Sequence, residues 1–470
     1  MIRRPDGSYL LMTLPNKISF VLVCTTLLLS AVAYGTVHQP IIALFYIVTA
    51  SLILLWAYET FRTGEVHYNA SYLQLPLYAA VVYGVIQIIP FGSIAEVAGV
   101  AGVPRTISLY PFATQLATVH FFALAVFFSV TLCMLDSARR IRNLVVVIMV
   151  FGFAYAFFAI LQSVLSPDKI YGIYEARSGS PFGSFVNRHN FAAYMEMTLA
   201  LPLGLMFAGA VPRDKRLLYA TAIALMGVAL LLSGSRGGLV SFLAQIFLLV
   251  ILTVGLRSRS SMLLRVGLAA ALIAAIVGGS FFVGGESSLT RIAETAESGD
   301  VTTDRAHIWR VTVDVIANNL PLGAGLGAFG IAYTVYDSYS GLERVEQAHN
   351  DYLQVIADAG IVGAIIGAIF LFLLIREGIR TPKISNTYRR GVAIGAFSGI
   401  FAILVHSIFD FVLHTTAITL LFLALVSLLV ASRYRYDDDV TDEHADRRGH
   451  PAHRRSSPAA TSSIVARFRH

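Results

Sequence analysis

Charge is what this chain has least of. Only 13% of its 470 residues are Asp, Glu, Lys or Arg, while 56% are hydrophobic, and the mean hydropathy is +0.70. Soluble domains carry about 25% charged residues. No soluble core has room for this much apolar surface, so the bilayer is the solvent for most of the chain. Cysteine is scarce as well. Cys24 and Cys133 both fall inside apolar runs, which argues against a disulfide framework and leaves redox chemistry without support. No internal repeat is visible, although repeats are the usual sequence mark of a transporter. The formal net charge of +7 suggests nucleic acid only until the charges are mapped. They cluster in short segments between apolar runs and in the tail, as membrane topology requires, and no nucleic-acid partner is expected.

Apolar runs long enough to cross about 30 Å of hydrocarbon as helices occur near residues 18–34, 40–57, 73–89, 115–135, 144–165, 191–210, 217–232, 239–256, 264–283, 361–375, 391–413 and 417–431. They predict an all-α polytopic membrane protein of about twelve transmembrane helices. The first nine occupy residues 1–283, and one large helical loop follows at 284–360. Three more helices lie in 361–431, and 432–470 forms a polar tail of low complexity that reads as a disordered cytoplasmic appendage. Basic residues set the orientation. With Arg3, Arg4 and Lys17 inside, the segments holding Arg139/Arg140/Arg142, Arg213/Lys215/Arg216, Arg257/Arg259/Arg265 and Arg376/Arg380/Lys383/Arg389/Arg390 also fall inside, as does the tail. Both termini are therefore expected in the cytoplasm. Ala31-Val32-Ala33 has the look of a signal-peptidase site, but the run continues the polytopic pattern and is read as a span.

The polar segments left on the outer face are the places for chemistry. Residues 90–114, with Arg105, are moderately apolar and expected along the interface; 166–190 carry Arg177, Arg188 and His189. Ser233-Gly234-Ser235-Arg236-Gly237-Gly238 breaks two apolar helices. Two readings fit Arg236: an interfacial arginine reaching headgroups or a carboxylate, and an anion clamp whose glycine neighbours let the backbone approach a ligand. Arg188 stands before a re-entering span, either as an anion site at a helix N-terminus or as a solvated arginine beside an Asn190 cap. In the large loop, Asp304 can cap a helix from Arg305 towards Ile316, with Ile308, Val311 or Thr312, and Val315 on one face. Gly325, Gly327 and Gly330 match the spacing of a dinucleotide fingerprint, but no strand precedes them and no βαβ unit follows, so they read as a loop packed near the membrane. His349, in Gln347-Ala348-His349-Asn350-Asp351-Tyr352-Leu353-Gln354, is suited to moving a proton near neutral pH, or caps a short helix that Gly360 stops. His406, Asp410 and His414 fall at i, i+4 and i+8 on one helix face, which suits a metal pair, a proton path, cavity lining or structural pairing. A metal site would need further ligands, none of them obvious.

Four blocks together resemble the O-antigen ligase and polymerase superfamily of bacterial membrane glycosyltransferases: Gly183-Ser184-Phe185-Val186-Asn187-Arg188-His189-Asn190-Phe191-Ala192; Leu232-Ser233-Gly234-Ser235-Arg236-Gly237-Gly238; Trp309 onward through Pro321-Leu322-Gly323-Ala324-Gly325-Leu326-Gly327; and Ala348-His349-Asn350-Asp351-Tyr352-Leu353-Gln354 followed by Gly360. Their order and spacing carry the likeness from about residue 180 through most of the second half. The resemblance implies an inner-membrane enzyme with a periplasmic site. It would move glycan from undecaprenyl pyrophosphate to an acceptor hydroxyl, on lipid A–core or a growing polysaccharide, with inversion and without a metal or other cofactor. His349 would be the base, and Arg188 and Arg236 would hold the pyrophosphate. Asn187, Asn350, Tyr352, Arg105 and Arg305 are the further candidates for lining the site. Ala348 stands where relatives often carry another histidine or a proline, so ligase and polymerase are not separated. Both implied roles require His349 to lie near the two arginines.

Two other classes are weighed. A metal-dependent oligosaccharyltransferase needs paired carboxylates in the first external loop, and residues 35–39 contain no acid. A lipid-linked sugar transporter predicts repeats and broken helices at mid-membrane, and the large external loop argues against it.

Overall fold

The apolar runs become helices, and small polar residues start several of them. The computed structural model describes residues 2–3, 9–10, 13–97, 99–176, 180–253, 305–338, 345–434 and 463–467. The helices are α1 (Leu14–Val32), α2 (Gln39–Thr63), α3 (Gln74–Ile88), α4 (Pro111–Met134), α5 (Ala138–Leu165), α6 (Arg188–Phe207), α7 (Arg216–Leu232), α8 (Arg236–Thr253), α9 (Arg305–Asn319), α10 (Phe329–Tyr336), α11 (Asp351–Gly378), α12 (Thr387–His406) and α13 (Thr416–Ala431). Thr13, Ser137 and Asn386 cap α1, α5 and α12 by accepting backbone N–H bonds. Among the described residues eight helices are long and apolar enough to cross a membrane. Two further apolar helices, Gln74–Ile88 and Thr416–Ala431, are shorter. The expected run at 191–210 became α6, which has the length of a span but is more polar, and the run at 264–283 lies outside the described residues.

The innermost contact joins α6 and α12. Glycines Gly391, Gly395 and Gly399 recur every fourth residue along α12, on one face. A Cβ on Gly395 would stand 2.6 Å from the carbonyl oxygen of Ala200, and one on Gly204 would stand 2.3 Å from the Cα of Gly395. Where lipid removes the hydrophobic drive between helices, such small residues let backbones approach and gain packing. Around this pair α13 is buried along nearly all its length. At one end of the bundle, Glu59 near the end of α2 accepts from Thr13 and Asn16 of α1, and buried Arg140 at the start of α5 pairs with Asp136 at 3.2 Å.

The other end gathers the segments between helices. Gln87, near the end of α3, donates to the carbonyls of Leu322 (3.2 Å) and Asp358 (3.0 Å) and accepts from the N–H of Leu326 (2.9 Å). This ties the glycine-rich stretch 321–328 against α3 and α11. Gly323, Gly325 and Gly327 all have positive φ, and a Cβ on Gly323 would meet backbone of α11 at 2.5 Å. Their spacing serves a buried turn rather than a nucleotide.

Several expectations change. Gly360 does not stop the helix after His349. It adopts φ 59° and ψ −147° and kinks α11, which runs on to Gly378; a Cβ there would lie 2.1 Å from the carbonyl oxygen of Pro321. The chain is not wholly helical. Residues Ser93–Val97 and Val100–Pro104 pair as an antiparallel hairpin where an interfacial segment was expected. Lys169–Ile170 pairs with Tyr174–Glu175, Ile2–Arg3 with Tyr9–Leu10, and Glu65–Asn69 with Ser463–Arg467. Arg177, Asp304 and the tail beyond Tyr434, apart from Ser463–Arg467, lie outside the described residues.

Candidate active site

Helix starts deliver the cations. Asn187 is extended and its side chain accepts the N–H of His189, so α6 begins at Arg188. The cap is therefore Asn187 and not Asn190, which is buried in the first turn. Gly234, with φ +67°, turns the chain between α7 and α8, and Ser235 then accepts the N–H of Gly238 at 3.1 Å. Arg236 is thus the first residue of α8, as Arg305 is of the described α9. Partial positive charge at the N-termini of α6 and α8 adds to the three guanidinium groups. Arg188, His189, Gly234, Arg236, Arg305, Ile308 and His349 line one cavity of about 230 Å³.

His349 reaches it through a backbone that few residues adopt. Its φ is +50°, a left-handed conformation uncommon for a side-chain-bearing residue. The segments on both sides fix it there. Ala348 donates its N–H to the side chain of Gln354 at 2.7 Å. Asn350 caps α11 by accepting from Tyr352 and Leu353, and its amide donates to the carbonyl of Ile408. Asp351 anchors the same turn, accepting from the Ser407 hydroxyl at 2.7 Å and the Leu413 N–H at 3.2 Å, and pairing with His414 at 2.8 Å. Strain held by surrounding structure is the kind of feature that accompanies function.

Asp410 organises the polar side of the cavity. It is 2% exposed. One carboxylate oxygen faces Nδ1 of His349 at 3.1 Å and accepts the Phe411 N–H at 2.9 Å. The other accepts from Arg305 at 3.2 Å and lies 3.9 Å from Nδ1 of His189. Burial works against its charge, but the hydrogen bond with His349 and the neighbouring His189 and Arg305 outweigh it, holding the carboxyl well below the usual carboxylate range. An ionised Asp410 accepts the Nδ1 proton of His349. That leaves Nε2 with the lone pair, the arrangement a general base needs.

His406, Asp410 and His414 do not share a helix face. The α12 helix ends at His406, residues 407–410 turn, and His414 lies in a short 3-10 turn. Each therefore has its own acidic or basic neighbour: His406 pairs with buried Glu196 of α6 at 3.0 Å, Asp410 with His349, and His414 with Asp351. The metal-pair alternative loses its geometry. Among the described residues no group of three or more His, Cys, Asp or Glu side chains is arranged for a metal ion.

Other expected lining residues stand back. Asn187 and Asn350 act as caps, and the Tyr352 hydroxyl donates to the carbonyl of Leu404 at 2.7 Å. Arg105 is exposed and stacks on Phe91 beside the hairpin. None of the four lines the cavity. Arg305, ranked below Arg188 and Arg236 by sequence, is a lining residue, and so are His189 and Ile308. The signal for Asp410 was a carboxylate alone at the end of a long apolar run.

Comparison with known families bears on this site. Residues 221–368 match the family model described as O-antigen ligase. The match supports a likeness to the O-antigen ligase and polymerase superfamily. The matched segment contains Arg236, Arg305 and His349, whereas Arg188 and Asp410 reach the same place from outside it. No curated protein matches the chain. This likeness points to an enzyme of the glycosyl-transfer type, and the long apolar helices point to a membrane protein.

Proposed function

We propose that the chain is an inner-membrane glycosyltransferase that moves glycan from an undecaprenyl-pyrophosphate donor to an acceptor hydroxyl on the periplasmic side. One observation carries this reading: His349 and the arginines Arg188, Arg236 and Arg305 line a single cavity. A proton acceptor beside concentrated positive charge suits a reaction that removes a hydroxyl proton while releasing a pyrophosphate. The basic short segments support cytoplasmic termini, which turns this end of the bundle to the periplasm.

In the proposed step Nε2 of His349 takes the acceptor's proton as its oxygen bonds to the anomeric carbon. The bond from that carbon to the pyrophosphate oxygen breaks, and its electron pair leaves with the phosphate. Attack opposite the leaving group inverts the anomeric centre. Asp410 stabilises the imidazolium through Nδ1. Arg188 and Arg236 hold the phosphates, since guanidinium forks match phosphate oxygens in pairs. Arg305 divides its charge between the cavity and Asp410.

The acceptor separates ligase from polymerase. Purified protein with undecaprenyl-pyrophosphate glycan and EDTA should cap lipid A–core if it is a ligase. A ladder from donor alone makes it an exopolysaccharide or O-antigen polymerase with the same chemistry. If neither product forms while the chain moves donor across a bilayer, the transfer reading fails and transport replaces it.

A further inference from the structure

The opposite end of α11 and α12 holds a second polar cavity. The α11 helix has 28 residues, about 40 Å at helical rise, so this cavity is remote from His349. It has a volume of about 360 Å³ and is lined by Arg380, Lys383, Ile384, Ser385, Arg389 and Arg433. Three separate stretches supply its cations: the end of α11 and the turn after it, the first turn of α12, and the segment after α13. Arg376 and Arg433 pair with the carboxylate of Glu377, and Arg389, only 5% exposed, donates to the carbonyl of Tyr434. Among the described residues no acidic side chain lines the cavity.

Buried donors occur next in sequence to its lining residues. The Thr381 and Ser432 side chains are fully buried, and among the described residues neither hydroxyl has a hydrogen-bond partner, nor does the buried Nε of Arg376. Thr381 falls between lining residues Arg380 and Lys383, and Ser432 adjoins Arg433. Buried donors without acceptors are costly and call for an explanation. Basic residues at one end of a membrane protein need only topology to explain them. Convergence of four on one cavity, with orphaned donors next to them in sequence, goes beyond that.

We propose that this cavity binds a phosphate-bearing anion, either the headgroup of an anionic lipid or a free phosphate compound. The helices that form it are read as spans that end here, which sets the cavity at the depth of lipid phosphates on that reading, and it has room for a phosphodiester headgroup.

The test is thermal unfolding of the full chain in detergent, titrated with phosphatidylglycerol, phosphatidylcholine or inorganic phosphate. Arg380 and Lys383 are exposed, so Arg380→Gln/Lys383→Gln leaves the packing intact. Arg213→Gln/Lys215→Gln removes the same charge at the same end but outside the cavity. Phosphatidylglycerol should raise the unfolding temperature where phosphatidylcholine does not. Its half-saturating concentration should rise about tenfold in Arg380→Gln/Lys383→Gln and stay within twofold in the control pair. A shift reproduced by inorganic phosphate, and lost in the same variant, assigns the site to a free phosphate compound. Equal losses in both pairs, or no shift with either anion, overturn the proposal in favour of diffuse surface charge. A shift that appears only after Asp437, Asp438 and Asp439 are changed to Asn also overturns it, giving the cavity to the chain's own acidic stretch.

Discussion

Changing Asp410 to Asn removes a charge while keeping the shape. Asp410 is 2% exposed and accepts from His349, Arg305 and the Phe411 N–H at 3.1, 3.2 and 2.9 Å. An Asn amide keeps one acceptor oxygen, which the Phe411 N–H can claim. Its NH2 group then faces Nδ1 of His349 and favours the tautomer that places the proton on Nε2, where a base must have none. A hydrogen bond to a charged group contributes about 1.5–3 kcal/mol, or roughly 10- to 150-fold in rate. A wrong tautomer has a ceiling of about 10⁴-fold. The kcat for glycan transfer should therefore fall between roughly 10- and 10⁴-fold. Donor KM should stay level or drop, because Arg305, released from its carboxylate, adds its full charge to the cavity. Steady-state transfer with purified protein measures both constants. A kcat within threefold of the parent would refute the idea that Asp410 fixes His349, and a large rise in donor KM would make Asp410 a binding group instead.

Four further outcomes follow from the same geometry. Arg236→Lys or Arg188→Lys should raise donor KM about tenfold with a smaller effect on kcat, since lysine cannot grip phosphate with a fork; an unchanged donor titration argues against a clamp. Gly395→Val should lower stability by about 1–3 kcal/mol, because its Cβ would lie 2.6 Å from backbone of α6, whereas Gly367→Val, with nothing within 4 Å, should be near neutral in thermal unfolding. Gly360→Ala should be more damaging than a helix substitution elsewhere in α11, as it joins a φ of +59° to a 2.1 Å clash with Pro321; unfolding temperatures of the two variants decide. Asp410 has a folded-state pKa below the ordinary value, so its stabilising effect is complete above about pH 4 and is lost as pH falls further. The Asp410→Asn protein should show a shallower loss of unfolding temperature across that acid range.

The sequence made the helices legible because apolar runs of span length have few other solutions. Arg188, Arg236 and His349 were legible because polar residues at the ends of such runs are conspicuous. Three things were not. Asp410 was singled out as a cavity or pairing residue, but its partner was not legible, since only the end of α12 at His406 turns it towards His349. The continuation of α11 through Gly360 was hidden by a glycine that ordinarily ends helices, whose role here is to admit the carbonyl of Pro321. Arg105 and Tyr352 look like site residues by composition, but a hairpin holds the first apart and a bond to the Leu404 carbonyl occupies the second. Apolar spans were readable; where α12 ends, and the convergence of segments hundreds of residues apart, required the fold.

The central claim is that His349 removes the acceptor's proton beside an arginine-held pyrophosphate. Its most direct test is His349→Gln, with transfer rate and donor affinity measured on the same preparation. The account predicts a loss in kcat of about 10²–10⁴-fold, with donor dissociation constant unchanged within twofold. Transfer at the parental rate, or loss of donor binding in step with activity, would contradict it.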